Sequence, residues 1–158
     1  MADPPALDDT DRAILHLLQE DARSTASHIA DTVGVAPNTV RNRIDRLEEL
    51  GIIEGWQPQV NYERAGFQLH IVFVCTVPIS ERRNLAENVM EIEGVIATTE
   101  ILSGHQNLMI EVVGADTEDI TRIATSLEDR GVTIRDERLI KSTRTQPFDH
   151  FGMNETSE

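Results

Sequence analysis

Cysteine is nearly absent from this 158-residue chain: Cys75 stands alone, which excludes an internal disulfide and any multi-cysteine metal site. Lysine is equally scarce, for of the 14 basic residues only Lys141 is lysine. Aromatic residues make up 4%. No apolar run approaches the ~20 residues needed to span a bilayer. The longest, Leu69–Val77, is nine residues and is broken by Cys75 and Thr76. The opening stretch, Met1–Asp11, is acidic and lacks an apolar signal core, so the expected compartment is the cytoplasm, with no membrane partner. The five histidines, at 16, 28, 70, 105 and 150, never fall at a metal-ligand spacing. Without a glycine-rich phosphate loop or a recognisable nucleophile motif, no catalytic residue, metal or cofactor is expected.

What the chain has in abundance is carboxylate. Asp and Glu number 28 against the 14 bases, giving a net charge of −14 and a pI near 4.6. The 39% hydrophobic and 27% charged content fits a folded globular chain, and the length allows one ordinary domain or two small ones. With lysine almost missing, the acid excess reads as adaptation to molar salt. Taken alone, it argues against nucleic acid, whose partners usually present a basic surface. The distribution of charge therefore matters more than its total.

The apolar spacing is helical from Leu7 to about Ala22, with Ile14, Leu15, Leu17 and Leu18 on one stripe and Asp8 with Asp11 forming a capping-box-like start. Ser24 or Thr25 can cap a second helix, Ala26–Val33, that ends at Gly34. Pro37 opens a third that runs to about Leu50 and stops at Gly51. Three helices, with three residues between the second and third, spell helix-turn-helix. The stretch Ile52–Val60 reads as a short strand or wing leading into a linker.

The second half changes period. Strands are expected at Leu69–Val77, Val95–Leu102, Leu108–Val113 and Val132–Ile140, and helices at Glu81–Glu93 and Asp116–Arg130. The order β-α-β-β-α-β is the split βαβ of ferredoxin-like folds. A faint repeat supports it, since strand and helix followed by Gly94-Val95 are echoed before Gly131-Val132. The fold class is thus α+β. The expected domains are a helix-turn-helix, winged unit at 7–55, a strand or linker at 56–67, a βαββαβ unit at 68–145 and a tail at 146–158. Cys75, inside the first of these strands, reads as a small buried hydrophobe.

The third helix carries the chemistry. Val40, Ile44 and Leu47 share its core face; Asn38, Asn42 and Arg46 lie opposite, flanked by Thr39 and Arg41. Arginine pairs with guanine, asparagine with adenine, and threonine serves either. Residues 32–44 contain no acid, and Arg41, Arg43 and Arg46 make the helix locally basic until Glu48 and Glu49 near its end. After a tight turn and a short helix, this face points to double-stranded DNA, with the N-terminal part of the helix in the major groove. His28, near the start of the second helix, is placed to touch a phosphate or simply to face solvent.

Many positions at family spacing identify the chain as resembling the Lrp/AsnC-type transcription regulators. They are Leu7-Asp8, Asp11, Ile14-Leu15, Leu18, Arg23, Ile29-Ala30, Val33-Gly34-Val35, Val40, Arg43-Ile44, Leu47-Glu48, Gly51-Ile52-Ile53 and Gly55-Trp56. The resemblance covers about residues 7–144 and includes the second half. It implies a DNA-binding regulator that dimerises through its sensing domains, often assembles further, and answers to amino acids. It places the effector near the turn before the third strand, here Ser103 to Leu108, so Gly104, His105, Gln106 and Asn107 are the effector residues it implies. Two positions depart from the family pattern. Asn107 stands where an Asp is common, replacing a charged partner for an ammonium with a neutral acceptor. Ala36 stands where a Ser-like cap is usual, a loss of about 1 kcal/mol that Pro37 partly offsets.

The expected DNA-binding residues are Asn38, Thr39, Arg41, Asn42, Arg43 and Arg46. The expected assembly is a homodimer or larger homo-oligomer on a roughly palindromic site. In molar salt, phosphate contacts weaken steeply, and base readout, apolar contact, ion uptake near the carboxylates or two-headed binding must carry more of the binding. Acids such as Asp8, Asp9 and Asp11 are then tolerable because counterions screen them. A rival reading is an enzyme resembling the siroheme decarboxylases, which would need a cationic pocket for an acidic tetrapyrrole, drawn from Arg82, Arg83, His105 and Arg138. A third is a sensing partner that does not bind DNA.

Overall fold

A computed structural model describes residues 2–151, which form two units. One contains residues up to Pro58 and takes in the chain again from Arg144; the other is Gln59–Thr143.

The first unit is built from α1 (Asp9–Glu20), α2 (Ala26–Val33) and α3 (Pro37–Glu49). Their starts follow from local chemistry. Asp8 accepts the Asp11 amide while the Asp11 carboxylate accepts the Asp8 amide, a reciprocal capping box. Thr25 rather than Ser24 caps α2, its hydroxyl accepting from the His28 amide. Ala36 offers α3 no side-chain cap, and Pro37 occupies its first turn. Ile14, Leu15, Leu18, Ile29, Ala30, Val40 and Leu47 fill a small core between the helices.

No strand forms in residues 52–67, which corrects the expected wing. The reason lies in how α3 ends. Gly51 takes φ +70°, and the amides of Gly51 and Ile52 turn back onto the carbonyls of Glu48 and Leu47, both at 2.9 Å. This is a Schellman closure, which brings in the apolar residue after the glycine. Ile52 and Ile53 therefore pack, half-buried, on the three-helix core.

The expected tail also differs, over its described part. Asp149–Phe151 form a 3-10 turn, and the Phe148 amide donates to Gln19 Oε1 of α1 at 3.2 Å. Phe148 and Phe151 meet edge to face at 5.0 Å, and Phe151 packs on the helix core. It helps line a shallow groove with Leu15, Leu18, Ile53 and Trp56. Residues 152–158 of the expected tail lie outside the described residues. Because a fully buried Phe→Ala change costs about 3–5 kcal/mol, half-buried Phe151→Ala is expected to cost the first unit about 1–2 kcal/mol. Chemical denaturation followed by helical circular dichroism reads this; an unchanged midpoint would show that the segment contributes nothing.

The second unit holds β1 (Leu69–Thr76), α4 (Arg82–Asn88), β2 (Val95–Glu100), β3 (Leu108–Gly114), α5 (Thr117–Asp129) and β4 (Thr133–Leu139). The sheet is antiparallel in the order β2-β3-β1-β4, as the split βαβ requires. Ile71, Phe73 and Cys75 of β1 alternate into one core with Leu108, Ile110 and Val112 of β3, Ala86 of α4, and Ile120, Ile123 and Leu127 of α5. The expected helix at 81–93 is tighter than foreseen. Only seven residues are α-helical, with 3-10 turns at Ile79–Glu81 and Val89–Glu91 on either side. Burial pushes the Cys75 thiol up to about 12, so it packs as an apolar group and supplies no thiolate.

Candidate functional site

The outer face of α3 is the candidate DNA-reading surface. Asn38, Arg41, Asn42 and Arg46 are exposed, with Thr39 and Arg43 half-exposed beside them. Val40 and Leu47 are fully buried on the opposite face, which fixes the rotation of the helix about its axis. The Arg41 guanidinium bonds Asn38 Oδ1 at 2.9 Å, so these two side chains form one polar unit in the first turns of the helix.

The other two arginines are not free. Arg43 Nη1 donates to Asp8 Oδ2 at 2.6 Å and to Asp11 Oδ1 at 3.1 Å. Arg46 Nη1 reaches Asp11 Oδ2 at 3.4 Å. Asp11 is only 1% exposed, which corrects its reading as a screened surface acid. The acidic start of α1 is thus bound across to α3. The Asp8 carboxyl is held below its ordinary 3.8, mainly by the Asp11 amide and then by Arg43. Asp8 and Asp11 in turn raise the pKa of Arg43. Sequence reading gave Asp8 and Asp11 a capping role and missed this pairing. The signal available was an arginine pair three apart on a helix packed beside that cap.

In the second unit, Ser103, Gly104, His105 and Gln106 form an exposed turn between β2 and β3, with Gly104 at φ +92°. Thr76 Oγ1 donates to the His105 carbonyl at 2.7 Å and ties the turn to the end of β1. Asn107 differs from its neighbours. It is buried, 4% exposed, and both ends of its side-chain amide are bonded to one residue. Oδ1 accepts from the Val77 amide at 2.9 Å and Nδ2 donates to the Val77 carbonyl at 2.8 Å. Through these two bonds Asn107 fastens the base of the turn. A larger groove of about 520 Å³ lies elsewhere in this unit, over Ile71, Ile120, Ala124 and Leu139.

The residues named for a tetrapyrrole pocket are each otherwise occupied or exposed. Arg82 donates to the Ile101 carbonyl at 2.9 Å. Arg83 pairs with Glu87 along its own helix, and Arg138 pairs with Asp136 along β4. His105 sits on the exposed turn. Among the described residues, no group of three or more His, Cys, Asp or Glu side chains is placed to hold a metal, and no helix is long and apolar enough to cross a membrane.

A three-helix unit with an exposed, arginine- and asparagine-bearing third helix, joined in one chain to a split-βαβ sandwich, is the build of a DNA-binding transcription regulator. Residues 7–48 match the AsnC-type helix-turn-helix domain. The chain is 33% identical over 119 residues to the HTH-type transcriptional regulator AldR of Mycobacterium tuberculosis, covering 74% of this chain and 66% of that one. It thus spans about two thirds of that regulator's length. It is 31% identical over 117 residues to the HTH-type transcriptional regulator LrpA of Pyrococcus horikoshii, covering 74% and 82% of the two chains. Among solved structures, the feast or famine regulatory protein of M. tuberculosis, complexed with L-methionine, matches with a TM-score of 0.78 at 25% identity, over 89% of this chain and 96% of that one. The chain belongs to the Lrp/AsnC family of transcription regulators.

Proposed function

We propose that Asn38, Thr39, Arg41 and Asn42 read base edges in the major groove, with Arg43 and Arg46 presented beside them by Asp8 and Asp11. The observation that carries this reading is the exposed Asn38–Arg41 pair at the start of α3, on an acid-free run within a chain of net charge −14. Two heads on a homodimer or larger homo-oligomer would bind a roughly palindromic site. The effector is an amino acid or a related small metabolite, taken near Gly104, His105 and Gln106. The methionine bound to a family neighbour supports that chemistry. The exposed turn encloses nothing by itself, so a second copy supplies the opposite wall, and effector binding alters assembly or head spacing.

We read the chain as a cytoplasmic regulator rather than an enzyme, because the arginines a tetrapyrrole pocket would need are each engaged by other groups: Arg82 by the Ile101 carbonyl, Arg83 by Glu87 and Arg138 by Asp136. Its acid excess suits molar salt, where base readout outweighs phosphate contacts. Replacing Arg41 with alanine is expected to cut the preference for the protein's own upstream DNA over a scrambled duplex by roughly 5–150-fold, the worth of one good base contact. Fluorescence anisotropy across a KCl series measures the ratio. An equal loss on both duplexes would make Arg41 a phosphate contact and remove it from base readout.

A further inference from the structure

The buried carboxylate of Asp11 does more than capping requires. A capping box asks an acid at this position for one bond, back to the N-cap amide, and Asp11 Oδ2 makes it to Asp8 at 3.2 Å. The chain contains its own comparison at the start of α5. There Asp116 caps the helix, and Asp119, three residues on, accepts the Ala115 amide at 2.9 Å. Asp119 remains 38% exposed, and its arginine partner, Arg122 at 3.5 Å, belongs to its own helix. Asp11 is buried and takes two guanidiniums from a different helix, α3. A carboxylate withdrawn from water carries a large desolvation cost unless charged donors offset it. Arg43, Arg46 and the Asp8 amide are those donors.

Both arginines leave α3 on or beside the face that the proposed function assigns to DNA. Arg46 stays 45% exposed and Arg43 32% exposed while so held. Each side chain keeps part of its surface in solvent while its guanidinium is tethered to a carboxylate. A free arginine on a flexible stem closes on any phosphate, whereas bidentate base recognition needs a guanidinium presented in fixed orientation. We infer that Asp11, assisted by the exposed carboxylate of Asp8, is a positioning residue for DNA recognition. It fixes Arg43 and Arg46 for readout and withholds them from indiscriminate phosphate binding. This inference rests on the regulator reading and deepens it. It also explains how an acidic start to α1 serves a DNA-binding head instead of opposing it.

The test compares three full-length variants, each removing one negative charge near the start of α1: Asp11→Asn, Asp8→Asn and Asp9→Asn. Asp9 is the control, since its contact is Arg12 within α1 at 3.4 Å. Anisotropy on upstream and scrambled duplexes is measured across a KCl series, with circular dichroism melts to confirm folding. Asp11→Asn is expected to lower the upstream-to-scrambled preference about tenfold, with tighter scrambled binding and a log–log salt slope steeper by roughly 0.9 per released arginine. Asp8→Asn, whose carboxylate is exposed and whose loss leaves the core intact, is expected to move both readings the same way by a smaller factor. Asp9→Asn is expected to shift both duplexes together and leave the preference unchanged. Should Asp11→Asn fail to fold, Asp8→Asn against Asp9→Asn decides. Wild-type preference retained in both Asp11→Asn and Asp8→Asn would overturn the positioning role while leaving the regulator reading intact. Wild-type protein that binds neither duplex at any salt would overturn the regulator reading, and this inference with it.

Discussion

Gly94→Ala is expected to destabilise the second unit by about 3–5 kcal/mol, combining left-handed strain with overpacking. Gly94 has φ +98°, and a Cβ there would lie 2.6 Å from Ile123 Cδ1 and 2.9 Å from the Val113 carbonyl oxygen. An isoleucine tip in an open site would rotate away, but Ile123 is fully buried. The carbonyl belongs to β3, and the Val113 amide is itself bonded to the Gly94 carbonyl at 2.8 Å. Ile123 cannot give way without disturbing the core, nor the carbonyl without disturbing the sheet. Gly131, its counterpart in the internal repeat, shares the left-handed backbone at φ +92° but has open space where a Cβ would go. Gly131→Ala should therefore show only the conformational part, about 1–3 kcal/mol. Urea denaturation of the two variants gives the comparison. Equal midpoints would mean that close approach at Gly94 contributes nothing.

Asn107→Leu is expected to cost a further class of energy, about 2–6 kcal/mol, by leaving the Val77 amide and carbonyl buried without partners at about 1–3 kcal/mol each. The change keeps the side chain's approximate size, so cavity formation adds little. Asn107→Asp introduces the residue common in the family and is expected to be milder. The carboxylate can still accept from the Val77 amide but cannot donate to the Val77 carbonyl when ionised. Thermal melts at neutral pH should rank wild type above Asp and Asp above Leu. A leucine variant as stable as wild type would show that the turn is not fastened through Asn107.

Much of this architecture could be read from periodicity and end signals. The stripe of Ile14, Leu15 and Leu18, the capping pair Asp8 and Asp11, and Pro37 at the head of α3 each act within a few residues, so the chain displays them openly. The four strands and their order follow from alternation and from the helices between them. The features that escaped are those decided at longer range. Ile52 and Ile53 look like a strand start, and only the Gly51 closure turns them onto the helix core. Phe148 and Phe151 have no period to advertise, and their contact with α1 is made by residues far away in sequence. On the candidate site, the rotation of α3 was legible from Val40 and Leu47, and so was the exposed Asn38, Arg41 and Asn42 face. The attachment of Arg43 and Arg46 to Asp11, and of Asn107 to Val77, was not. A sequence names side chains that can bond, but burial selects which of them must.

In the proposed function, α3 enters the major groove and reads bases there. Guanine N7 lies in that groove, and methylation by dimethyl sulfate reports whether it is covered. Footprinting wild-type protein on its upstream DNA in high KCl, with Arg41→Ala alongside, shows whether α3 occupies that groove. The expected result is protection of guanines in two half-sites about one helical turn, or a multiple of it, apart, weakened or lost in the variant. Bound protein that leaves every guanine as reactive as in free DNA, with the variant indistinguishable from wild type, would contradict it.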